Sequence, residues 1–371
     1  MIHIVLTLAI IFLGFVSAVF LFYRIPGLPA LRRVQTAHLP TVSVIIPARN
    51  EAHNLPLILQ DLLDQTHTPL EIICVDDASE DETAHIAASF GIRVITLSYK
   101  PEGWLGKSWA CHNGALAAQG ELMLFLDADV RLGRDALSRL LQAHTETACT
   151  MSVQPFHTAE KTYEQFSLFF NLVQIAANGT ASLRGRTLGL YGPLILIAQT
   201  DYRAIDGHAS VRGNIIEDVA LGKRLSLAGL PHSLYVGDTD IRFRMYAEGP
   251  RSLLQGWLKN QAAGAAKTPL SLFLPVFLWI SSLCSVPLQL VLAFVKGDTL
   301  WILFYFLLYL IWLTILSEHS KRIGQFRAWA VVFYPLPLLF LVGVFFVSVA
   351  KKLLGLNVTW KGRAIRPGDK A

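Results

Sequence analysis

The sequence predicts an α/β fold in which a mainly parallel sheet carries helices on both faces, joined to one N-terminal and about three C-terminal membrane helices. Between residues 42 and 126, short apolar runs alternate with helical patterns, which is the chain order of a parallel sheet. The 371 residues are 53% hydrophobic and only 16% charged, and the apolar residues concentrate in long uncharged stretches. This composition excludes a single ordinary soluble domain.

The first uncharged stretch covers residues 2 to 23 and ends at Arg24. Its length approaches the roughly 20 residues that a helix needs to cross a bilayer. We predict that residues 1–24 are an N-terminal transmembrane anchor, because the stretch lacks a small-residue cleavage site. A cleaved signal peptide is the alternative. Residues 25–41, which contain proline and arginine, are predicted to be a linker.

The first half of the sheet is predicted to contain four strands and three helices. The strands are expected at residues 42–46, 71–75, 92–97 and 122–126, and the helices at residues 54–66, 81–90 and 107–118. This β-α-β order predicts parallel strands with right-handed crossovers. The first helix has an apolar stripe at helical spacing, formed by Leu55, Ile58, Leu59, Leu62 and Leu63.

Polar, turn-forming residues follow three of these strands, at residues 47–51, 76–79 and 127–129. Ligands of open α/β sheets bind beyond the carboxyl ends of the strands. The three turns therefore predict one ligand site at this edge of the sheet.

The third turn, Asp127-Ala128-Asp129, directly follows five apolar residues. Taken alone, it is compatible with a plain polar exit from a strand. Carboxylate oxygens suit Mg²⁺ or Mn²⁺, and such an ion usually also contacts substrate phosphates. In the context of the other two turns, the motif predicts a metal and nucleotide-diphosphate site, in which one of Asp127 and Asp129 can hold the ion while the other reaches a sugar or a group beside the metal.

The second half of the soluble region is less regular. Strands are predicted at residues 150–154 and 192–198, and helices at residues 160–178, 201–205 and 214–228. Glu217 and Asp218 lie in the first turn of the last helix. Acidic side chains there either offset the helix dipole, which is worth about 0.3–1 kcal/mol, or take part in catalysis.

The chain after residue 248 is predicted to be membrane-associated. Residues 249–269 are expected to lie along the membrane surface with Trp257 at headgroup depth, or else to be a plain linker helix. Residues 270–350 contain three apolar runs, which are predicted to be transmembrane or re-entrant helices. Residues 351–371 are predicted to be a basic cytosolic tail.

Basic residues lie beside the apolar segments, which fits the positive-inside rule and indicates a multi-pass plasma-membrane protein whose soluble domain is cytosolic. The net charge of +5 is therefore no sign of nucleic-acid binding. Four spans would put both termini on one side, whereas the basic residues place both the middle domain and the tail in the cytosol. We expect that one proline-containing segment, 270–295 or 328–350, is interrupted. The basic residues concerned are Arg24, Arg32, Arg33, Lys321, Arg322, Arg327, Lys351, Lys352, Lys361, Arg363 and Arg366.

Four motifs in order resemble those of the processive-type family 2 glycosyltransferases, whose catalytic domain has the GT-A fold. They are Pro47-Ala48-Arg49-Asn50-Glu51, Asp76-Asp77-Ala78-Ser79, Asp127-Ala128-Asp129 and Glu217-Asp218. The resemblance implies a GT-A domain at residues 42–248 and an inverting hexosyltransferase. A further family motif, Gln-X-X-Arg-Trp, is represented only by Gln255 and Trp257, and this departure argues against a polysaccharide synthase.

The resemblance also implies roles for particular residues. Asp218 is the candidate base, with Glu217 beside it. Asp127 and Asp129 are expected to hold Mg²⁺ or Mn²⁺. Lys107 is expected to pair with phosphate, although a solvent-facing lysine at a helix start is equally compatible. The residues expected to bind the nucleotide-sugar are Pro47, Arg49, Glu51, Asp76, Asp77, Lys107, Asp127, Arg244 and Trp257.

A narrower resemblance covers nearly the whole chain. Segments including Gly103–Ala110, Ser152–His157, Phe243–Tyr246, Arg322–Phe326 and Trp360–Arg363 are similar to the bacterial 4,4'-diaponeurosporenoate glucosyltransferases. This similarity implies transfer of glucose from UDP-glucose to the carboxylate of a C30 carotenoid acid in the membrane, which forms a glycosyl ester. It also implies association with other enzymes of carotenoid biosynthesis.

Two alternatives stay open. The same donor site would serve transfer to another lipid: a hopanoid, a polyprenyl phosphate or a diacylglycerol-type lipid. A membrane transporter or scaffold that binds nucleotide-sugar without turnover is the non-enzyme alternative. It is disfavoured because the apolar runs contain no carboxylates, whereas transporters usually keep polar groups at membrane depth.

Overall fold

The computed structural model describes residues 2–32, 39–185, 187–354, 358–360 and 363–365. Arg33, Lys361 and Arg366, and parts of the predicted linker and tail, lie outside the described residues. The chain divides into two compact units. The sheet unit consists of Pro26–His157 and Leu188–Arg244, and the helical unit of Met1–Ile25, Thr158–Thr187 and the chain from Met245 onward. The domain boundaries stay a prediction.

The strands in chain order are β1 Val42–Ala48, β2 Glu71–Asp76, β3 Arg93–Thr96, β4 Leu122–Leu126, β5 Val130–Leu132, β6 Thr150–Gln154, β7 Phe156–Thr158, β8 Leu194–Ala198, β9 His232–Val236, β10 Ile241–Phe243, β11 Gly324–Gln325, β12 Val358–Trp360 and β13 Arg363–Ile365.

The helices are α1 Ile2–Leu21, α2 Leu55–Leu63, α3 Thr83–Ser89, α4 Gly106–Ala117, α5 Ala136–Thr147, α6 Leu168–Asn178, α7 Gln199–Ala204, α8 Glu217–Leu227, α9 Pro250–Lys267, α10 Leu270–Lys296, α11 Thr299–Ile323, α12 Ala328–Val332 and α13 Pro335–Leu353. Two short 3₁₀ helices cover Thr162–Ser167 and Gly207–Val211.

The main sheet of the sheet unit has the strand order β3-β2-β1-β4-β8-β6-β9. Parallel pairing joins β3, β2, β1 and β4, and also β6 and β9, whereas β8 runs antiparallel to both of its neighbours. All five residues of β4 are buried, as expected for a strand at the centre of a covered sheet. The prediction of a mainly parallel sheet is confirmed.

Helix α2 confirms most of its predicted apolar stripe. Leu55, Ile58, Leu59 and Leu62 are at most 1% exposed, whereas Leu63 is 54% exposed. The inclusion of Leu63 was therefore wrong. At 100° per residue, Leu63 lies about 40° further round the helix than Leu59, which places it at the edge of the buried face.

Small residues line the inner face of helix α4, where it packs on the sheet. Ala110 and Cys111 are at most 1% exposed. A Cβ atom at Gly114 would lie only 2.4 Å from Cγ2 of Ile45. This close contact fixes the helix over β1 and so fixes the position of Lys107 in its first turn.

Helix α8 is positioned by two glycines whose backbones touch. A Cβ atom at Gly222 would lie 2.7 Å from Cα of Gly189, and a Cβ atom at Gly189 would lie 2.4 Å from Cα of Val219. A side chain at Gly189 or at Gly222 would force the two backbone segments apart and so shift the start of α8. The pair therefore holds the first turn of α8, which carries Glu217 and Asp218, against the chain that leads into β8.

We expect Gly222→Ala to destabilise the protein by roughly 1–3 kcal/mol, because an added methyl group has no space at this backbone contact. The midpoint of thermal unfolding of the purified protein in detergent would measure the effect. Gly264→Ala in α9 is the matched control, since no atom lies within 4 Å of a Cβ there. Equal midpoints for the two variants would contradict the close-contact argument.

The helical unit contains α1, α10, α11 and α13, which are the described helices long and apolar enough to cross a membrane. Prolines 275 and 287 lie inside α10, which is continuous. The interruption falls instead in segment 328–350, between Val332 and Pro335. Pro335 takes the first position of α13, where a missing N–H costs no helical hydrogen bond.

Helix α1 packs tightly on α10 within the helical unit. A Cβ atom at Gly14 would lie 2.1 Å from Cβ of Ser282. The Ser282 hydroxyl donates a hydrogen bond to the carbonyl oxygen of Ile11 at 3.2 Å. These contacts join residues about 270 positions apart in the sequence, so α1 is an integral part of this unit.

Candidate active site

The turns after β1 and β2 form one continuous structure at the carboxyl edge of the sheet. The amide of Asp77 donates to the carbonyl of Ala48 at 2.9 Å, which extends the strand pairing. Nη1 of Arg49 donates to the carbonyl of Asp77 at 2.8 Å, and Nη2 lies 3.6 Å from Oε1 of Glu80. Asp76 is 3% and Asp77 is 7% exposed. Arg49 therefore holds the turn that carries the two aspartates.

Hydrogen bonds from side chains brace the same two turns. The amide of Asn50 donates to Oγ of Ser79 at 3.0 Å, and the amide of Glu80 donates to Oδ1 of Asn50 at 2.9 Å. The amide of Glu51 donates to Oγ1 of Thr83 at 2.8 Å. Asn50 has a φ of 52°, a conformation that asparagine tolerates better than most residues. Asn50 and Thr83 have structural roles that sequence reasoning missed.

Pro47 is the last residue but one of β1, and Glu51 lies in the loop that follows this strand. Pro47 is paired with Val75 of β2, beyond the last residue of β1 that pairs with β4. At this position β1 is paired on one side only. A proline, which has no N–H to donate, is therefore tolerated there. The carboxylate of Glu51 accepts a hydrogen bond from Nδ2 of Asn54 at 2.8 Å.

Asp127 and Asp129 flank the turn that ends β4. The amide of Asp127 donates to the carbonyl of Pro193 at 2.9 Å, and the amide of Val130 donates to the carbonyl of Asp127 at 3.2 Å. Both aspartate side chains are half-buried. The turn therefore places two carboxylates at the carboxyl edge of the sheet, as the sequence predicted for a ligand site.

The register of β5 and β10 bears on Arg244. The two strands are antiparallel, with Val130 opposite Phe243. The next positions outward are Asp129 and Arg244, which therefore lie at the same end of the strand pair. Arg244 is half-buried. Its predicted role in binding the donor stays a prediction.

Lys107 connects the aspartate turn with helix α8. Its Nζ lies 2.6 Å from Oδ1 and 2.9 Å from Oδ2 of Asp127, and 3.8 Å from Oε1 of Glu217. Burial works against the charged form, but the carboxylates of Asp127 and Glu217 outweigh it and raise the pKa of Lys107 above its ordinary value. Lys107 is therefore not simply a solvent-facing lysine at a helix start, because it forms an ion pair with Asp127.

Asp218 is held by two backbone amides. Its Oδ2 accepts from the amide of Gly192 at 2.8 Å, and its Oδ1 accepts from the amide of Val219 at 2.8 Å. Burial, together with the negative charge of Glu217, raises the pKa of Asp218 to about 6, although Lys107 and the two amides oppose the rise. The carboxylate is thus fixed in orientation and still mostly ionised at neutral pH.

Gly192 is a site residue that sequence reasoning missed. A Cβ atom there would lie 2.9 Å from Oδ2 of Asp218 and 3.3 Å from Nζ of Lys107. Its carbonyl also accepts from Lys107 at 3.4 Å. No local sequence pattern indicates this role, because the contact depends on how β8 returns beside β4.

The donor set at the aspartate turn suits a divalent ion that arrives with phosphates. Within residues covered by the structure, no group of three or more His, Cys, Asp or Glu side chains is placed to hold a metal. Mg²⁺ is commonly bound by one or two carboxylates together with substrate phosphates and water. Asp127 and Asp129 match this kind of site.

Trp257 lies in the helical unit and is 2% exposed. Its ring stacks on Phe170 with centroids 4.3 Å apart, and its Nε1 donates to Oγ of Ser167 at 3.4 Å. The ring of Tyr246 meets it edge-on at 5.6 Å. These contacts give Trp257 a packing role, while its predicted roles at headgroup depth and in donor binding stay predictions.

Comparison with known proteins places this geometry in a family. The model of the family described as "Glycosyl transferase family 2" matches residues 43–198. The 4,4'-diaponeurosporenoate glycosyltransferase of Staphylococcus aureus strain USA300 is 35% identical over 330 residues, which cover 87% of each chain. This chain belongs to glycosyl transferase family 2. It is therefore an enzyme, a glycosyltransferase.

Further comparisons agree with this assignment. The family 2 glycosyltransferase is 36% identical over 248 residues to the 4,4'-diaponeurosporenoate glycosyltransferase of Staphylococcus haemolyticus, which covers 65% of this chain and 66% of the relative. Among solved structures, the mannosyltransferase PcManGT from Pyrobaculum calidifontis, in complex with GDP-Man and Mn²⁺, matches with a TM-score of 0.54. The match covers 94% of this chain and 97% of PcManGT at 14% identity, and it shows a shared fold.

Proposed function

We propose that this family 2 glycosyltransferase transfers glucose from UDP-glucose to the carboxylate of 4,4'-diaponeurosporenoate, a C30 carotenoid acid of the membrane. The observation that carries the proposal is the cluster of Lys107, Asp127, Glu217 and Asp218 at the carboxyl edge of the sheet. The names of relatives that match 87% of this chain support the acceptor.

The donor site would be formed by the braced turns and the aspartate turn. Asp76 or Asp77 would accept a hydrogen bond from uracil. The diphosphate would meet Lys107 and an Mg²⁺ or Mn²⁺ ion held by Asp127 and Asp129. The ion, when bound, neutralises the charge that develops on the departing UDP. The remaining residues proposed to line the donor are Pro47, Arg49, Glu51 and Arg244.

The acceptor chemistry would be a single displacement with inversion. An oxygen of the acceptor carboxylate forms a bond to the anomeric carbon of glucose, while the bond from that carbon to the UDP oxygen breaks and UDP keeps the electron pair. A carboxylic acid, whose pKa is about 4, is already ionised at neutral pH. No proton has to be removed, so Asp218 would orient the reacting groups and stabilise charge.

The membrane setting is part of the proposal. Four apolar helices support a multi-pass protein. Basic residues follow the first of them, Arg24 and Arg32, where the chain enters the sheet unit. Such residues favour the cytosolic side of the plasma membrane. A cytosolic active site would meet UDP-glucose directly, and neighbouring enzymes of carotenoid biosynthesis would supply the acceptor.

Sugar transfer in washed membranes tests the proposed function. Membranes that contain the protein receive UDP-glucose, Mn²⁺ or Mg²⁺, and 4,4'-diaponeurosporenoic acid, and the glucosyl ester is sought by mass spectrometry. Parallel reactions offer a hopanoid, a polyprenyl phosphate and a diacylglycerol-type lipid. We expect the ester only with the carotenoid acid. Product with another lipid alone would refute the acceptor, and no metal-dependent UDP release with any lipid would refute the donor site.

Because the pKa of Asp218 is about 6, the role of this residue can be tested by measuring the transfer rate as a function of pH. Above pH 6 this carboxylate is mostly ionised and below pH 6 it is mostly protonated. Transfer to an alcohol acceptor requires the ionised form as a base, so its rate should rise with a midpoint near pH 6. The rate–pH profile should be flatter between pH 5.5 and 8 for a carboxylic acid acceptor, which is ionised throughout. Identical profiles for both acceptors would contradict the assignment.

A further inference from the structure

We propose that Lys107 is a positioning residue that occupies the Asp127 carboxylate until a nucleotide diphosphate arrives, so that the divalent ion binds together with the donor and not before it. This inference rests on the proposed function and deepens it. It assigns Lys107 a competing role toward the metal in addition to its expected contact with phosphate.

The geometry of the ion pair supports competition. Nζ of Lys107 is within hydrogen-bond distance of both oxygens of Asp127, at 2.6 and 2.9 Å. An ammonium group in this position covers the carboxylate and repels a second cation strongly at such short range. A divalent ion therefore has to displace the ammonium group before it can bind Asp127.

The surroundings offer the displaced ammonium group other partners. Oε1 of Glu217 lies 3.8 Å from Nζ, and the carbonyl oxygen of Gly192 lies at 3.4 Å. The lysine side chain is a point charge on a flexible four-carbon stem, so a small rotation exchanges one partner for another. A diphosphate adds further negative oxygens and so lowers the cost of leaving Asp127.

The contrast with Arg139 separates this pair from a purely structural one. The Arg139 side chain is 7% exposed and donates to Asp238, Asp240 and the carbonyls of Leu28 and Pro29. The Lys107 side chain is 36% exposed and its Asp127 partner is 25% exposed. A ligand can therefore reach the Lys107 ammonium group from solvent, whereas the Arg139 guanidinium group is buried and only its partners Asp238 and Asp240 are exposed, at 50% and 43%.

The inference predicts opposite changes in two affinities when the ammonium group is removed. Lys107→Met should bind Mn²⁺ alone about tenfold more tightly, because Asp127 loses its competing cation. The same variant should bind UDP in the presence of Mn²⁺ about tenfold more weakly, because the diphosphate loses a charged partner. A residue that only stabilised the fold would weaken both.

The test measures Mn²⁺ binding to the purified full-length protein in detergent by the EPR signal of free Mn²⁺, with and without UDP. Lys107→Gln repeats the loss of charge in a polar side chain, and Lys107→Arg should keep Mn²⁺ binding close to wild type. Lys223→Met, at an exposed position of α8, controls for the loss of one positive charge. Thermal unfolding midpoints verify that each variant is folded.

Each outcome decides the inference. Tighter Mn²⁺ binding and weaker UDP binding in both neutral variants would support it. Unchanged Mn²⁺ affinity in a folded Lys107→Met protein, or a parallel loss of both affinities, would overturn it while leaving the proposed function in place. Failure of the wild type to bind UDP with Mn²⁺ would overturn the proposed function itself, and the inference with it.

Discussion

Replacing Asp129 by alanine is expected to lower sugar transfer by roughly a thousandfold or more, since the reaction would lose a ligand of the ion that stabilises departing UDP. Asp129 lies in the turn between the central strand β4 and β5, at the end of the β5–β10 pair that also carries Arg244. The alanine should be tolerated by the fold, because the side chain is half-buried and lies in a turn rather than in a strand of the core.

The measurement is metal-dependent UDP release by wild type and variant in the same membranes, with titration of Mn²⁺. Asp64→Ala, at an exposed position after α2, is the matched control for loss of an aspartate. The control should keep wild-type activity. Full activity in Asp129→Ala at saturating Mn²⁺ would remove Asp129 from the proposed metal site.

Asp218→Asn is expected to have an effect that depends on the acceptor. With an alcohol acceptor, the loss of a general base should cost roughly 10²–10⁴-fold in rate. With a carotenoid acid, the acceptor is already ionised and the loss should stay below about tenfold. The asparagine keeps the size of the side chain, and its amide oxygen can still accept from Gly192 or Val219.

The two rates are compared as kcat values with the same UDP-glucose concentration and two acceptors of similar apolar length. Glu217→Gln removes a neighbouring charge without removing the proposed base, and it should affect both acceptors alike. Equal losses for Asp218→Asn on the two acceptors would show that the carboxylate acts in the same way on both, and the distinction between base and orienting group would fail.

The fold was largely predictable because its first half obeys local rules. Strand β4 is one apolar run, and α2 has a helical stripe of which only Leu63 was misplaced. The direction of β8 could not be predicted, because an apolar run such as Leu194–Ala198 has the same pattern in a parallel and an antiparallel strand. Which of the two proline-containing segments is interrupted could not be predicted either, because the outcome depends on where each proline falls in its helix.

The charged residues of the candidate site could be predicted from the sequence, whereas the contacts between them could not. Asp127, Asp218 and Lys107 stand out as polar residues beside apolar elements. Gly192 matters because the chain before β8 packs closely against the start of α8. Such a contact between distant segments leaves no local pattern in the sequence. Trp257 was placed by its chemical type, whereas its observed neighbours, Phe170 and Ser167, come from a segment about 90 residues earlier.

The packing of α1 on α10 has a consequence for how this enzyme can be made and altered. During synthesis the first helix lacks this packing partner until Ser282 and its neighbours have been translated. An unrelated anchor in place of α1 would deliver the chain to the membrane without the recess at Gly14 that accepts Ser282. A shortened enzyme that starts at the linker would leave the matching surface of α10 uncovered. The surface of α1 that faces α10 is therefore needed for assembly of the helical unit, and an anchor of the same length and hydropathy would not replace it.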